Sequence, residues 1–527
     1  MKIKELLVPL LLALLVTWGM QYYFGPSESV VNDQVKSGQR FVAPTKPEIQ
    51  VHKPLNTEID FLDAKATRKT IVTTIETNSA RYEFSNDGAS LIRVEFRRNW
   101  GGKEGYLTTL FPPAANEKEN RTFLIAFDEK TPYYFDFINK KEEADYFVLS
   151  YKTSFDNGTL DKTFLIYKEN YRIDLKLSFT VKEGTTIIPR IFFNSPLLPG
   201  LGSESATRTK DVVSGVINEG PKSIKIYPFN DETINSYWSN PTLFGSQDRY
   251  FVHTMVRDPH NFAQRGYFKA VEIENLFSIL EGPKLTRDST YELSFYVGPK
   301  EDDVMAAIDP RLEQTLNYGW FSFISKPLSK FLLDVLNIIY SYVQNYGWAI
   351  IILTILLKLL LLPFTYRVED QKEMLKRSQE YTRKLEHIRA KYKDNPQALA
   401  QAQGELVKKQ GFGGFTGCLP LLLQMPFFWA LGIILSNAIE LYRAPFLWVP
   451  DLSAPDPYYL LPILAGISIL LHTFTISQDP KQRISSSVLA IFVAALFSSF
   501  SAGLVLFIMM GTLLGVLQSI VIRQIKA

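Results

Sequence analysis

GWAIIILTILLKLLLLPF, residues Gly347–Phe364, decides the architecture of this chain. About 20 mostly apolar residues suffice for a helix to cross a bilayer, and this run is close to that length. One cation, Lys358, sits inside it. A charge near the middle of such a helix costs roughly 2.5–3.5 kcal/mol or more, so it faces a wet cavity, a pathway or, by snorkelling, the headgroups. Lys358 stands about 12 Å of helix rise from Tyr366 and Arg367, at the limit of a lysine stem. The rule for intramembrane charges favours a water-filled interior.

Other segments are of similar character. LLVPLLLALLVTWGMQYYF (Leu6–Phe24) opens the chain, and CLPLLLQMPFFWALGIIL (Cys418–Leu435), YLLPILAGISILLHTF (Tyr459–Phe474), VLAIFVAALFSSF (Val488–Phe500) and GLVLFIMMGTLLGVLQSIVI (Gly503–Ile522) follow Lys358. The last two abut at Ser498–Gly503, which reads as a tight hairpin between two spans. The residues after the first run, Gln21-Tyr22-Tyr23-Phe24, offer no small-x-small cleavage site, which favours an uncleaved anchor over a signal peptide. The expected spans are therefore 1–24, 347–366, 417–436, 459–476, 486–500 and 502–523.

Basic residues orient these spans. Lys2 and Lys4 precede the first, and Arg523 and Lys526 follow the sixth. Between the second and third lie Arg367, Lys372, Lys376, Arg377, Arg383, Lys384, Arg389, Lys391, Lys393, Lys408 and Lys409, and Lys481 and Arg483 lie between the fourth and fifth. The loop between the third and fourth carries only Arg443. Both termini inside satisfies every bias, and it puts the long region between the first two spans outside the cytoplasm.

That region explains a mean hydropathy of −0.02 in a membrane protein. Residues 25–68 are polar and punctuated by Pro26, Pro44, Pro47 and Pro54, the composition of a flexible linker. Residues 69–314 read as β. Tyr171, Ile173, Leu175, Leu177, Phe179 and Val181 alternate with polar residues, as do Tyr291, Leu293, Phe295 and Val297. Asn86-Asp87-Gly88, Asp156-Asn157-Gly158 and Glu183-Gly184 supply turns, so a large antiparallel sandwich is expected. The single cysteine, Cys418, excludes an internal disulfide, and a domain of this size needs none.

Residues 315–344 mix Trp320, Phe321, Phe323, Ile324, Leu328, Phe331 and Leu332 with Lys326, Ser329 and Lys330, the pattern of an interfacial amphipathic helix. In 367–411, Met374, Ser378, Tyr381, Leu385, Ile388 and Tyr392 recur at spacings of four and three. Asp394-Asn395-Pro396 interrupts that series before Leu399, Ala402 and Leu406 resume it, which predicts a basic helical hairpin. The glycines of Gly411–Gly417 lack the Gly-Lys-Ser/Thr of a nucleotide loop. No cofactor or metal motif and no catalytic constellation is legible.

GCLPLLLQMPFFWAL (Gly417–Leu431), DLSAPDPYYLLPIL (Asp451–Leu464) and SAGLVLF (Ser501–Phe507) together resemble the YidC membrane-protein insertases. The Gln424-Met425-Pro426 and Asp456-Pro457-Tyr458-Tyr459 strings carry the resemblance most specifically, and it runs from about Leu316 to the C-terminus. It implies an all-β supersandwich periplasmic domain, an α-helical five-span insertase core (315–527) and an additional N-terminal anchor. It also implies a bacterial inner-membrane protein that inserts and helps fold other membrane proteins, alone or beside the Sec translocon. The partners implied are nascent membrane proteins, membrane lipids and, through the cytoplasmic hairpin, the ribosome or targeting factors. No cofactor and no specific nucleic-acid recognition are implied.

In the family, a hydrophilic groove opens to cytoplasm and lipid and holds a positive residue, usually Arg. Aligned through Thr354 and Pro363, that position is Lys358. Thr354, one turn away, shares its helix face, and Gln424 and Gln518 are the further polar candidates for the groove. Met425, Pro426, Phe428, Leu506 and Phe507 are the candidates for an apolar slide into lipid. Two departures stand out. Lysine is a point charge where arginine is a bidentate fork. Ser501 stands where the family has Pro before its Ser-Gly-Leu. Gly511 and Gly515 read as a helix-packing pair, and His472 as an interfacial residue at a span end. The residues alone leave open a carbohydrate-active protein, through His253 and His260 near Asp248 and Asp258, and a secondary transporter.

Overall fold

The computed structural model describes residues 55–62, 68–100, 103–108, 121–128, 130–196, 213–228, 230–272, 275–316, 318, 322–367, 383–392, 395–410, 419–476, 487, 490–491 and 493–526. The expected anchor at 1–24, the linker up to residue 54, Cys418 and the first part of the cytoplasmic hairpin lie outside the described residues.

Strand periodicity builds the first half of the chain. Nine strands form one sheet, in the spatial order Ile224–Pro228, Ser214–Asn218, Phe244–Gln247, Phe251–Arg257, Ser289–Pro299, Arg172–Val181, Gly158–Tyr167, Tyr146–Phe155 and Asp136–Glu142. A sheet of five strands (Tyr237–Ser239, Arg265–Glu272, Asn275–Glu281, Arg190–Asn194, Leu124–Ala126) and one of four (Val72–Glu76, Ala80–Ser85, Ser90–Trp100, Lys103–Thr108) complete the domain. Every strand pair in these sheets is antiparallel. One apolar core joins the sheets, with Phe96 stacked near Phe251 and Phe123 edge-on to Phe295. The expected sandwich is thus present, with three sheets.

The two alternating runs behave as their pattern requires. Ile173, Leu175, Leu177 and Phe179 are buried on one strand, and Leu293, Phe295 and Val297 on its neighbour. Asp174 breaks the rule. It is buried because Arg172 grips it with two bonds of 2.7 Å, so one ion pair replaces an apolar contact. Turns fall where glycine and asparagine mark them. Asp156-Asn157 connects two strands in a two-residue loop, and Gly88 takes a positive φ of 67°.

The second half is helical. Its principal helices are α1 (Ser322–Val343), α2 (Tyr346–Arg367), α3 (Pro396–Gln410), α4 (Leu419–Asn437), α5 (Leu460–Ile476) and α6 (Ala502–Lys526). A further helical stretch at 493–497 ends in a turn at 498–500 before α6 begins, the expected hairpin. Residues 383–391 are helical, and Asn395 starts α3 by accepting the Ala398 N–H on its side chain, with Pro396 in the first helical position. Among the described residues, Ala502–Val521 is long and apolar enough to cross a membrane. Tyr346–Leu360, Phe427–Asn437 and Leu460–Thr475 are shorter apolar helices.

α1 docks on the sandwich as well as on the core. Lys326 pairs with Glu313 and Lys330 with Asp302, both carboxylates in the helical collar that ends the β domain. Ser329 donates to the Ala430 carbonyl of α4 at 3.2 Å. Phe331, Ile338 and Tyr342 remain exposed on the outer side.

Candidate functional site

The second half folds around a buried apolar centre that includes Ile350, Leu353, Leu431, Leu435, Val505 and Leu506. At the end nearest the sandwich, the segment 438–456 seals it. Asp456 does much of this: one carboxylate oxygen accepts the Leu461 N–H at 2.7 Å and the Trp448 indole N–H at 3.2 Å. The other oxygen accepts the Tyr458 N–H at 3.0 Å. An aspartate at the head of α5 satisfies amides that have no helical partner and complements the helix dipole. This is the physical content of the Asp-Pro-Tyr-Tyr string. The start of α6 is tied down in the same way, since Ala502 and Gly503 donate to the carbonyls of Ala454 and Leu452. Ser501 lies 3.3 Å from Ser436, hydroxyl to hydroxyl, where a proline would leave no such contact.

This segment reaches into the sandwich. Ile439 and Tyr442 belong to the β-domain core, with the Tyr442 ring 4.6 Å from that of Tyr250. Arg249 donates to the carbonyls of Ser436 and Ser453. Neither Tyr442 nor Arg249 is marked by periodicity, because each makes its contact across domains. The only hint in the sequence was an aromatic beside the lone basic residue of that loop.

Lys358 lies twelve residues into α2, half-buried, and no hydrogen-bond or ion-pair partner reaches it among the described residues. The sandwich shows the contrast. Arg190, 1% exposed, holds the carbonyls of Asn56, Glu58 and Phe127 at 2.6–3.1 Å. Lys162, also fully buried, donates to the carbonyls of Gly88 and Phe123. Thr354 is buried one turn from Lys358, but its hydroxyl is taken by the Ile350 carbonyl at 2.6 Å. Its methyl and the Lys358 stem both approach Gly511 of α6. Gln518 is half-buried seven residues beyond Gly511, hence on the same face of α6. Gln424, Met425 and Pro426 lie within α4, but their side chains fall outside the described residues.

The residues expected to form an apolar slide are placed unequally. Leu506 and Phe507 are buried in the helical core, 1% and 4% exposed, because the first turns of α6 pack against α2 and α4. Phe428 is half-buried, with its ring 6.5 Å from that of Phe507. The exposed apolar surface lies further along: Leu359 and Leu360 on α2, Leu513 and Leu517 on α6, and Ile467 and Leu471 on α5.

The histidines that kept a carbohydrate site open are placed otherwise. His253 is buried, its Nδ1 3.1 Å from the Asn194 carbonyl, and burial pushes its pKa down to about 4. His260 is exposed and accepts the Glu292 N–H. Asp248 and Asp258 hold the backbone amides of Tyr250, Phe251, Phe262 and Ala263. Both aspartates are turn-formers.

Residues 338–527 match the family described as 60Kd inner membrane protein, and residues 72–331 match the YidC periplasmic domain. A membrane protein insertase YidC of Oleidesulfovibrio alaskensis is 37% identical over 386 residues, covering 68% of each chain. The chain belongs to the YidC family. The Campylobacter jejuni insertase is 33% identical over 375 residues, 70% of this chain and 66% of that relative, so the matched part is a little under two thirds of its length. The Geobacter metallireducens relative is 28% identical over 547 residues, 99% of this chain and 98% of its own. The helical core and the sandwich each carry their own family match, which agrees with their construction as two layers of different periodicity.

Proposed function

We propose that this chain inserts membrane proteins and assists their folding in a bacterial inner membrane, through a polar groove around Lys358. The observation that carries this reading is a half-buried lysine on an apolar helix, with no acceptor of its own among the described residues, in a chain of the YidC family. An intramembrane charge without a resident partner requires water or a client group to solvate it.

The topology that serves this function has six spans, counting the anchor at 1–24, with both termini in the cytoplasm and the sandwich in the periplasm. The segment 438–456 and the sandwich then cover the periplasmic end of the groove. A client's polar flank enters from the cytoplasm and is held briefly at Lys358, with Gln518 and Gln424 as further polar contacts. Its hydrophobic segment leaves along the exposed faces of α2, α5 and α6. Moving apolar surface from water to lipid is downhill by about 25 cal/mol per Å², so this part needs no nucleotide. Phe428, Met425 and Pro426 remain in the proposed slide, and Leu506 and Phe507 support it from behind. Work beside the Sec translocon, and contact of the basic hairpin with the ribosome or targeting factors, are further parts of the proposal.

Proteoliposomes holding the full chain and a single-span client with a short acidic flank test it. The unaltered chain should insert this client, and Lys358→Glu should reduce insertion about tenfold, the worth of one charge-assisted hydrogen bond turned repulsive. Equal insertion by both would refute the groove.

A further inference from the structure

α2, α5 and α6 each begin at the end of the core nearest the sandwich. Lys358 and His472 each lie twelve residues from the first residue of their helix. Both approach one face of α6. A side chain placed on Gly511 would meet the Lys358 Cε at 3.8 Å, and one placed on Gly515 would meet the His472 Nε2 at 3.3 Å. The two glycines are one turn apart, roughly 6 Å of rise. They therefore do more than bring helices together: they clear a bed on which two basic side chains from two other helices converge. Lys358 is also the only charge that acts on His472 among the described residues. Neither side chain has a hydrogen-bond partner there.

We propose that His472 is a second client-contacting residue of the groove, and that with Lys358 it forms a two-point receptor for a carboxylate on the client's polar flank. The proposal rests on the insertase reading and deepens it. A lysine ammonium and an imidazole N–H are separate donors. A carboxylate with one donor on each oxygen spans about 6–7 Å between the donor nitrogens, the scale set by Gly511 and Gly515. The pair thereby restores the two-donor recognition that a guanidinium fork provides and a lone lysine lacks. Gln518, three residues beyond Gly515, lies on the same face.

The test uses the full chain in vesicles of phosphatidylcholine and two matched single-span clients. One carries two aspartates in its short flank, the other two asparagines, and the readout is the ratio of their insertion. His472→Leu should lower the aspartate-to-asparagine ratio about three- to tenfold, since one charge-assisted bond to the aspartate client is lost. His472→Gln, which keeps a donor, should recover most of the ratio. Gly515→Leu, which crowds the imidazole off its bed, should lower the ratio as His472→Leu does, so the result does not depend on one variant folding well. If the unaltered chain inserts both clients and neither His472→Leu nor Gly515→Leu changes the ratio, His472 is no receptor and the insertase reading stands. If the unaltered chain inserts neither client, the insertase reading itself fails. A drop seen only when phosphatidylglycerol is added would assign His472 to a lipid phosphate and overturn the proposal.

Discussion

The sandwich and the helical core treat buried charge in opposite ways. In the sandwich, Arg190, Lys162, Arg172 and Arg265 each hold fixed acceptors: backbone carbonyls for the first two, Asp174 and Glu281 for the others. Such groups are structural, because a buried charge is tolerated only when its lone pairs and protons are satisfied. In the core, Lys358 and His472 are half-buried on apolar helices and have no such partners among the described residues. The same chemistry is thus saturated in one region and held open in the other. An open donor in an apolar setting is what a passing client can use.

The largest effect expected from this contrast lies in the sandwich. Arg190→Leu should cost about 3–5 kcal/mol of β-domain stability, because three carbonyls lose a buried cation. Denaturant unfolding of the full chain in detergent reads this, and a loss below about 1 kcal/mol would break the claim that its bonds are structural.

Acid should loosen the same domain. His253 has its pKa pushed down to about 4 by burial, against 6.5 unfolded. A group whose folded pKa is depressed in this way binds fewer protons folded than unfolded between those values. Stability is therefore fully present above about pH 6.5 and falls as the pH drops toward 4, by about 3 kcal/mol in all. Melting curves between pH 7 and 4 should show this slope, and His253→Met should flatten it. An unchanged slope would assign the acid sensitivity elsewhere.

The junction between the regions should be weaker. Tyr442→Ala removes a ring packed 4.6 Å from Tyr250 and should cost about 2 kcal/mol of docking. Hydrogen exchange in 438–456 should rise, while that of the central strands stays slow. Smallest of all, Lys358→Arg should change insertion by less than about threefold, since no fixed acceptor among the described residues is shaped to the lysine. A loss beyond about tenfold would mean that the surroundings of Lys358 are as tailored as those of Arg190.

Much of this was legible in the sequence. Residues 171–181 and 291–297 alternate because one face of each is buried, and Asn395-Pro396 marks a helix start through side-chain capping and a missing amide. Lys358 announced itself by contrast with the nine apolar residues that precede it in the run WAIIILTILLK. What stayed hidden depended on distant contacts. Leu506 and Phe507 look like any lipid-facing residues of a span, and only the packing of α6 against α2 and α4 places them inside. Gly511 and Gly515 matched a helix-packing pattern, yet which side chains they admit is decided by α2 and α5. Tyr442 and Arg249 join domains separated by nearly two hundred residues, which no local period records.

The central claim is that the surroundings of Lys358 are wet and open to the cytoplasm. In a Cys418→Ser background, Lys358→Cys tests it directly in sealed inside-out vesicles treated with a membrane-impermeant thiol reagent. The account predicts prompt labelling from the cytoplasmic face, abolished only when a client segment is trapped in the groove. Full protection of the folded, client-free protein would contradict it and make Lys358 a buried structural lysine.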